Sequence, residues 1–432
     1  MSTLRIIRET FANRNLAVLT LTQTLYMSAV MLWIPYRSLY ILELGATKEL
    51  VGMLLMVETL SQLIFQLPGG ILTDRLGRKK VIVISSIFRV ATPVVYLMGT
   101  HWTHLAPGLI LSSAGMISLP AVNALIAESL PPQRRSSGFA AYRTVTWMPI
   151  ILTSLLGGVF MDYYGVFKGA RICLQAMLII SIATTIIKWR YIKETLDTTK
   201  TENKPRETKS NREYLRSLGK MPRNVWVLTG VAALSGFAMR SVYSFMVIYA
   251  VEEVGLTTTQ WGIIGTIVNT IATALTLPGG ILADRIGRKP SITASKLIAP
   301  IATIGFTLSN NFNQLAITQI IGAGISRGLG GTVWGNNGGP VWQAVVADCT
   351  PPEERGRMMG LMGSIINIAN IPASWIGGYL YDNVSPALPF QLSFAVDMIS
   401  LSLFVALFRE PERHDKKTEG YQEPPTIPEK DQ

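Results

Sequence analysis

Charge is what this chain has least of. Of its 432 residues only 15% are Asp, Glu, Lys or Arg, against roughly 25% in soluble globular proteins. A soluble domain of this length needs a charged surface that the composition does not supply, and 49% hydrophobic residues exclude disorder. Cys173 and Cys349 are the only two cysteines, they lie in separate segments, and there is no CxxC, which excludes a disulfide framework. Three histidines are too few for a metal cluster. His101 and His104 form one HxxH on a short connecting stretch, where two ligands leave zinc half-coordinated, so a solvated pair is expected. There is no GxxxxGK(S/T) loop, no GxGxxG after a strand-like run and no nucleophile–base set. Neither enzymatic chemistry nor a bound cofactor is expected.

Long apolar runs are what the chain has instead. A spanning helix needs roughly 20 mostly apolar residues. Twelve stretches qualify: 15–38, 50–73, 80–99, 105–127, 136–161, 170–190, 224–250, 260–283, 290–309, 313–347, 357–380 and 387–408. The polar, basic leader Met1–Asn15 carries no cleavable signal pattern. The expected fold is an all-α membrane protein of twelve transmembrane helices in two six-helix bundles, 1–190 and 223–409. Residues 191–222 are heavily charged and form a solvated linker between them, and 410–432 form a disordered tail.

The net charge of +12 allows a nucleic-acid partner until the bases are placed. Of 39 Lys and Arg, 29 fall on the termini, the linker and alternate loops, and three (Lys48, Lys168, Arg171) on the opposite loops. This asymmetry puts both termini and the linker in the cytoplasm. Anionic lipid at that face is then the polyanion implied, with no nucleic acid.

The two halves repeat. QLPGGILTDRLGRKK (66–80) matches TLPGGILADRIGRKP (276–290) at an offset of 210. Pro120 and Asn123 with Glu128 match Pro340 and Gln343 with Asp348 at 220, and Gly157-Gly158-x-x-x-Asp162 matches Gly377-Gly378-x-x-x-Asp382, also at 220. The change of offset places ten extra residues between Pro290 and Pro340.

Gly70-x-x-x-Asp74-Arg75-x-Gly77-Arg78-Lys79 lies on the turn between the second and third stretches, and Gly280-x-x-x-Asp284-Arg285-x-Gly287-Arg288-Lys289 on the turn between the eighth and ninth. Two such copies in a twelve-span repeat resemble the cytoplasmic loop signature of the major facilitator superfamily, over essentially 10–410. Pro290 where the first copy has Lys80 is a minor departure. Gly70 and Gly280 allow close helix approach, Gly77 and Gly287 permit the turn, and Asp74 and Asp284 can face the N-terminal end of a helix. The resemblance implies that Asp74 meets the helix beginning near Arg355, that Arg78 and Arg288 pair with Glu128 and Asp348, and that these contacts gate the cytoplasmic side. Folding and topology alone are the plainer role for the same residues.

Six bases fall inside the stretches, Arg37, Arg89, Arg143, Arg240, Lys296 and Arg327, against two acids, Glu58 and Asp397. Such groups are costly in hydrocarbon unless paired or wet. The resemblance implies that spans 1, 4, 7 and 10 line a central cavity, flanked by 2, 5, 8 and 11. Arg240 and Arg327 are then the leading cavity residues, with Arg37 nearer the outer mouth and Arg143 and Glu58 on flanking spans. Arg89, Lys296 and Asp397 fall on supporting spans, where snorkelling or a structural pair is expected. Asn123 and Gln343 either contact substrate or bond helix to helix. The stretch 313–347 includes GAGISRGLGGTVWGNNGGP (322–340), with eight glycines, so a continuous helix is not expected. Either it breaks near the midplane and offers Arg327, Trp334, Asn336 and Asn337 to substrate, or it is an external insertion.

The resemblance implies a monomeric plasma-membrane secondary transporter of a small molecule, working by alternating access. The first expectation is proton-coupled efflux of drug-like compounds with Glu58 as proton carrier. The antiporter pattern on the fifth span survives only as Gly138, Pro149 and Gly157-Gly158. Uptake or exchange of an organic anion through Arg240 and Arg327 is the alternative, and a non-transporting sensor or scaffold the third.

Overall fold

The computed structural model describes residues 11–130, 135–195, 221–333, 338–351 and 354–410; the side chains at 67, 68, 70, 71, 74, 135–140, 150, 356 and 357 are outside the described set. Its elements are helical. The first half comprises α1 (Arg14–Glu43), α2 (Lys48–Leu76), α3 (Arg78–Met98), α4 (Trp102–Glu128), α5 (Ala141–Tyr164) and α6 (Val166–Tyr191). The second comprises α7 (Arg223–Glu252), α8 (Thr258–Ile286), α9 (Arg288–Thr307), α10, α11 (Arg355–Asn370 and Ala373–Asn383) and α12 (Leu388–Leu407). α10 is broken: Phe312–Gln319, a π-helical Ile320–Ile325, Ser326–Gly328 and, after a gap in helix, Pro340–Asp348.

Ten helices among the described residues are long and apolar enough to cross a membrane, not the twelve expected. α9 and α10 are the two that fall short. α9 opens with Arg288 and Lys289 and carries Lys296, and glycine divides α10. Helix starts repeat as the sequence repeats. Thr47 caps α2 by accepting the Leu50 N–H, and Thr257 caps α8 with a reciprocal box through Gln260. Gly77 and Gly287, at φ 92° and 98°, make the tight turns into α3 and α9, a conformation that only glycine adopts freely.

Packing distinguishes the two ends of the bundle. At the end remote from the basic turns one cluster joins both halves: Trp33, Tyr36 and Tyr40 of α1 with Phe245 and Tyr249 of α7, and Phe306 and Phe390 behind them. Phe306 and Phe390 stack at 5.3 Å between ring centroids. At the basic end there are two separate clusters, one per half. Leu16, Leu19, Val81 and Leu125 belong to the first, and Val225, Leu228, Trp342 and Phe404 to the second. Among the described residues, the hydrophobic clusters thus join the halves at one end and stay within each half at the other. Large apolar side chains such as Met98, Ile179 and Leu277 stay exposed, as helices facing lipid require.

Candidate functional site

Two adjoining cavities lie between the halves. The smaller, about 320 Å³, is lined by Arg37, Glu58 and Thr59 of the first half and by Met239, Arg240 and Tyr243 of the second. The larger, about 480 Å³, shares Arg37, Met239 and Tyr243, and adds Trp147, Trp261, Asn269 and Arg327 among others. α4 contributes no lining residue to either, whereas α2, α5, α8, α9 and α11 do. The lining expected from the resemblance is therefore wider in one respect and lacks one of its four helices.

Glu58 is the junction of this site. Its carboxylate pairs with the Arg37 guanidinium at 2.9 Å, with the two side chains 16% and 13% exposed. Gln62, one turn on, donates to Glu58 Oε1 at 3.5 Å, and Ser113 of α4 donates to the Glu58 carbonyl at 3.3 Å. Arg240 crosses from the other half to donate to the Thr59 hydroxyl, next to Glu58 in the chain, at 2.8 Å. Arg327 donates to Asn269 Oδ1 of α8 at 3.1 Å. A mostly buried carboxylate thus sits beside two guanidinium groups, with a third guanidinium across the larger chamber.

Arg327 comes to this position because α10 widens into a π-turn and then breaks. Gly322 and Ala323 of that turn line the larger cavity, in keeping with the frequency of π-bulges at functional sites. The break packs within the bundle: a Cβ on Gly328 would meet Leu275, and one on Gly331 would meet the backbone of Ile292. This places the described part of 322–340 inside rather than in an external loop. Trp334, Asn336 and Asn337 lie outside the described residues. Arg143, Asn123 and Gln343 are exposed and line neither cavity.

On the basic turns, Arg78 pairs with Glu128 at 2.9 Å, and Arg288 pairs with Asp348. Each pair stays within one half, so neither by itself bridges the halves. Arg75, Asp284 and Arg285 are exposed. The surroundings of Gly70 and of the Asp74 side chain, and so its expected meeting with the helix at Arg355, are outside the described residues. Gly280 corrects the sequence reading: a Cβ there meets nothing within 4 Å. The close approaches belong to the preceding glycines, Gly69 against the Ile117 carbonyl and Gly279 against the Gly328 carbonyl.

Sequence reasoning missed two acids on these turns. Glu194 accepts the backbone N–H groups of Arg78 and Lys79, both at 3.0 Å. Glu410 accepts those of Arg288 and Lys289 at 3.0 and 3.4 Å. Each places a carboxylate on the first turn of a helix, where the dipole favours it. Lys289 also ties down the end of α12, donating to the Val405 and Phe408 carbonyls at 2.9 and 2.7 Å. Glu410, expected to open the disordered tail, is therefore bonded. The available signal was a base–acid dipeptide after each half, Lys193-Glu194 and Arg409-Glu410.

The repeated Gly-Gly-x-x-x-Asp holds the opposite end closed. Gly157 faces the Leu32 carbonyl of its own half and Gly158 the Thr258 carbonyl of the other. Gly377 faces Ser241 of its own half and Gly378 faces Lys48 of the other in the same way. Asp162 then accepts the N–H groups of Thr258 and Thr259, each at 2.9 Å, while Asp382 accepts that of Glu49 at 3.2 Å. Each aspartate caps a helix of the opposite half. Tyr36, fully buried, donates to the Ser154 carbonyl at 2.7 Å beside the first of these contacts. Lys48 pairs with Glu252 at 3.1 Å across the second.

Away from the cavities, Lys296 of α9 pairs with Asp397 of α12 at 3.0 Å and also bonds Ser235 of α7, a buried pin within the second half. Arg89 bonds Gln23, the Gly115 carbonyl and Ser118, tying α3 to α1 and α4. Among the described residues no group of three or more His, Cys, Asp or Glu is placed to hold a metal.

The family model of the Major Facilitator Superfamily matches residues 16–338 and 332–430. An uncharacterized MFS-type transporter of Methanocaldococcus jannaschii is 25% identical over 386 residues, 85% of this chain and 86% of that protein. The quinolone resistance protein NorA of Staphylococcus aureus is 29% identical over 144 residues, so the match spans 33% of this chain and only 34% of NorA. Among solved structures, the inward open xylose transporter XylE of E. coli superposes with a TM-score of 0.69 at 17% identity, covering 94% of this chain and 98% of that one. That likeness is one of fold. With that family model matched over most of its length, the chain belongs to the major facilitator superfamily: it is an integral membrane secondary transporter.

Proposed function

We propose that the protein is a proton-coupled secondary transporter, with Glu58 as its proton carrier and the paired cytoplasmic turns and the Gly-Gly-x-x-x-Asp contacts as its inner and outer gates. The observation that carries this reading is the Glu58–Arg37 pair at 2.9 Å on the cavity wall. Protonation neutralises Glu58 and releases Arg37; deprotonation restores the pair. A carboxylate whose environment changes between dry and wet states changes its hold on a proton, which is what coupling needs. The basic end is cytoplasmic by the distribution of Lys and Arg, the membrane is the plasma membrane, and the working unit is a monomer with anionic lipid at its cytoplasmic face.

Two observations bear on the substrate and its direction. The partial resemblance to a quinolone resistance protein supports efflux of drug-like compounds. The cavity charge, three guanidinium groups to one carboxylate, supports movement of an organic anion. Binding-induced shifts in melting temperature identify a solute, and its flux is then followed in liposomes. Flux driven by a pH gradient in the wild type and lost in Glu58→Gln is the expected result. No flux of any bound solute would favour a sensor or scaffold, and unchanged proton coupling in Glu58→Gln removes Glu58 from the role.

A further inference from the structure

Arg240 reaches the smaller chamber from the second half and makes its described side-chain bond to a neutral hydroxyl, that of Thr59. Glu58, the one carboxylate among the described residues lining that chamber, is already engaged by Arg37. Arg240 is thus a cavity cation bonded to a hydroxyl where a carboxylate would serve it better. The adjoining chamber is walled by apolar and aromatic groups, including Trp147, Trp261, Met239 and Val268, and closes on Arg327. A site of that composition recognises a flat or elongated apolar body ending in an anion.

We infer that the transported solute is an amphipathic organic anion whose charged group binds Arg240 beside the Arg37–Glu58 pair, and that it travels in the same direction as the proton. The second half of the statement rests on Glu58 being the proton carrier. The groups around Glu58 are Arg37 of α1, Tyr96 of α3, and Arg240 and Tyr243 of α7, with Gln62 on its own helix. None of these is an acid under ordinary conditions, so among the described residues a bound anion is the second negative charge of the chamber. Two anions sharing one site drive a carboxylate to take up a proton. The proton comes from water in the open cavity and settles on the Glu58 carboxylate. Anion and proton therefore bind cooperatively, and cooperative binding at one site yields cotransport, whereas exchange requires the two to compete.

The test is equilibrium binding of 2-naphthoate to the purified full-length protein in nanodiscs of uncharged lipid, with 2-naphthalenemethanol as the neutral probe of the same ring system. The wild type binds naphthoate saturably and at least tenfold more tightly than the alcohol. Arg240→Gln loses that preference about tenfold, Arg240→Lys keeps most of it, and the alcohol is unaffected by either change. Naphthoate affinity in the wild type rises several-fold from pH 8 to pH 6, a range in which the probe itself stays ionised, and in Glu58→Gln the affinity is high and independent of pH. Equal binding of acid and alcohol by the wild type, absence of saturable naphthoate binding, or full affinity in Arg240→Gln overturns the anion site. Arg240-dependent binding that is independent of pH and unchanged in Glu58→Gln leaves the anion site standing and removes Glu58 as the proton carrier, and cotransport with it. Comparing acid with alcohol on the wild type keeps the inference falsifiable if Arg240→Gln does not fold.

Discussion

Asp162, at the end of α5, accepts the backbone N–H of Thr258 at 2.9 Å, so a carboxylate of one half caps the first turn of a helix in the other. Asp382 does the same for Glu49 of α2. The chain was duplicated, and each copy uses its aspartate on the other copy's helix. An N-cap is worth about 0.5–2 kcal/mol. Two caps are thus enough to bias an equilibrium between closed and open ends, and weak enough to be broken in each cycle.

Removing one cap should therefore open the end it closes. Asp162→Ala is expected to raise the open population roughly 2- to 30-fold, from the same cap energy. The readout is the labelling rate of a cysteine at Ser244, in both cavities, by an impermeant maleimide added from the side opposite the basic turns. Native Cys173 is buried and Cys349 lies beside Asp348 at the basic end. A rate unchanged from the parent cysteine variant counts against the latch.

Gly158 and Gly378 face the backbone carbonyls of Thr258 and Lys48 across the seam. Gly158→Val puts side-chain atoms where that carbonyl sits, with an overpacking cost of about 1–3 kcal/mol. The expected result is a lower melting temperature together with faster labelling at position 244. Gly280→Ala, where a Cβ meets nothing within 4 Å, is expected to leave both unchanged. A fall in both for Gly280→Ala would restore the close-packing role that its motif position implies.

These glycines show what was legible in the sequence. Matching the halves located Gly157-Gly158 and Gly377-Gly378 but gave them no partner, because the partner is a backbone carbonyl on another helix and leaves no residue signature. Pairing of Arg78 with Glu128 and of Arg288 with Asp348 was implied by the resemblance alone. Glu58 and Arg240 were found as charges within apolar runs, a strong signal because such residues are rare there. Their convergence on one wall was not legible, as it depends on the rotation of α1, α2 and α7 about their axes. The break in α10 was visible in its glycines, but whether it lay inside the bundle awaited Gly328 against Leu275.

In the Lys296–Asp397 pair the lysine is buried, at 3% exposed, and the aspartate partly so, at 21%. Breaking a buried pair from one side typically costs about 3–5 kcal/mol, because an uncompensated charge remains, while replacing both members by apolar groups is often neutral. Asp397→Leu is expected to lower the melting temperature markedly, and Lys296→Met with Asp397→Leu to recover most of the loss. A double variant no more stable than Asp397→Leu alone would show that the pair does more than pin α9 to α12.

Glu194 and Glu410 cap the turns into α3 and α9. Glu194→Gln replaces a charge-assisted cap by a neutral one and is expected to cost about 1 kcal/mol locally. Amide hydrogen exchange at Arg78 and Lys79 should then speed up roughly fivefold, with exchange at Arg288 and Lys289 unaffected. Equal protection in the variant and the parent would assign the capping of α3 to other groups.

The most direct test of proton coupling is to watch protons move when only solute is supplied. Purified protein is reconstituted in liposomes holding a pH-sensitive dye, with no imposed pH gradient, and a solute that raises its melting temperature is added outside. Wild-type protein is predicted to carry protons with the solute, so the lumen changes pH at the rate of solute flux. Glu58→Gln is predicted to exchange solute across the membrane while the lumenal pH stays constant. Solute-driven pH change in Glu58→Gln equal to that of the wild type would contradict the account.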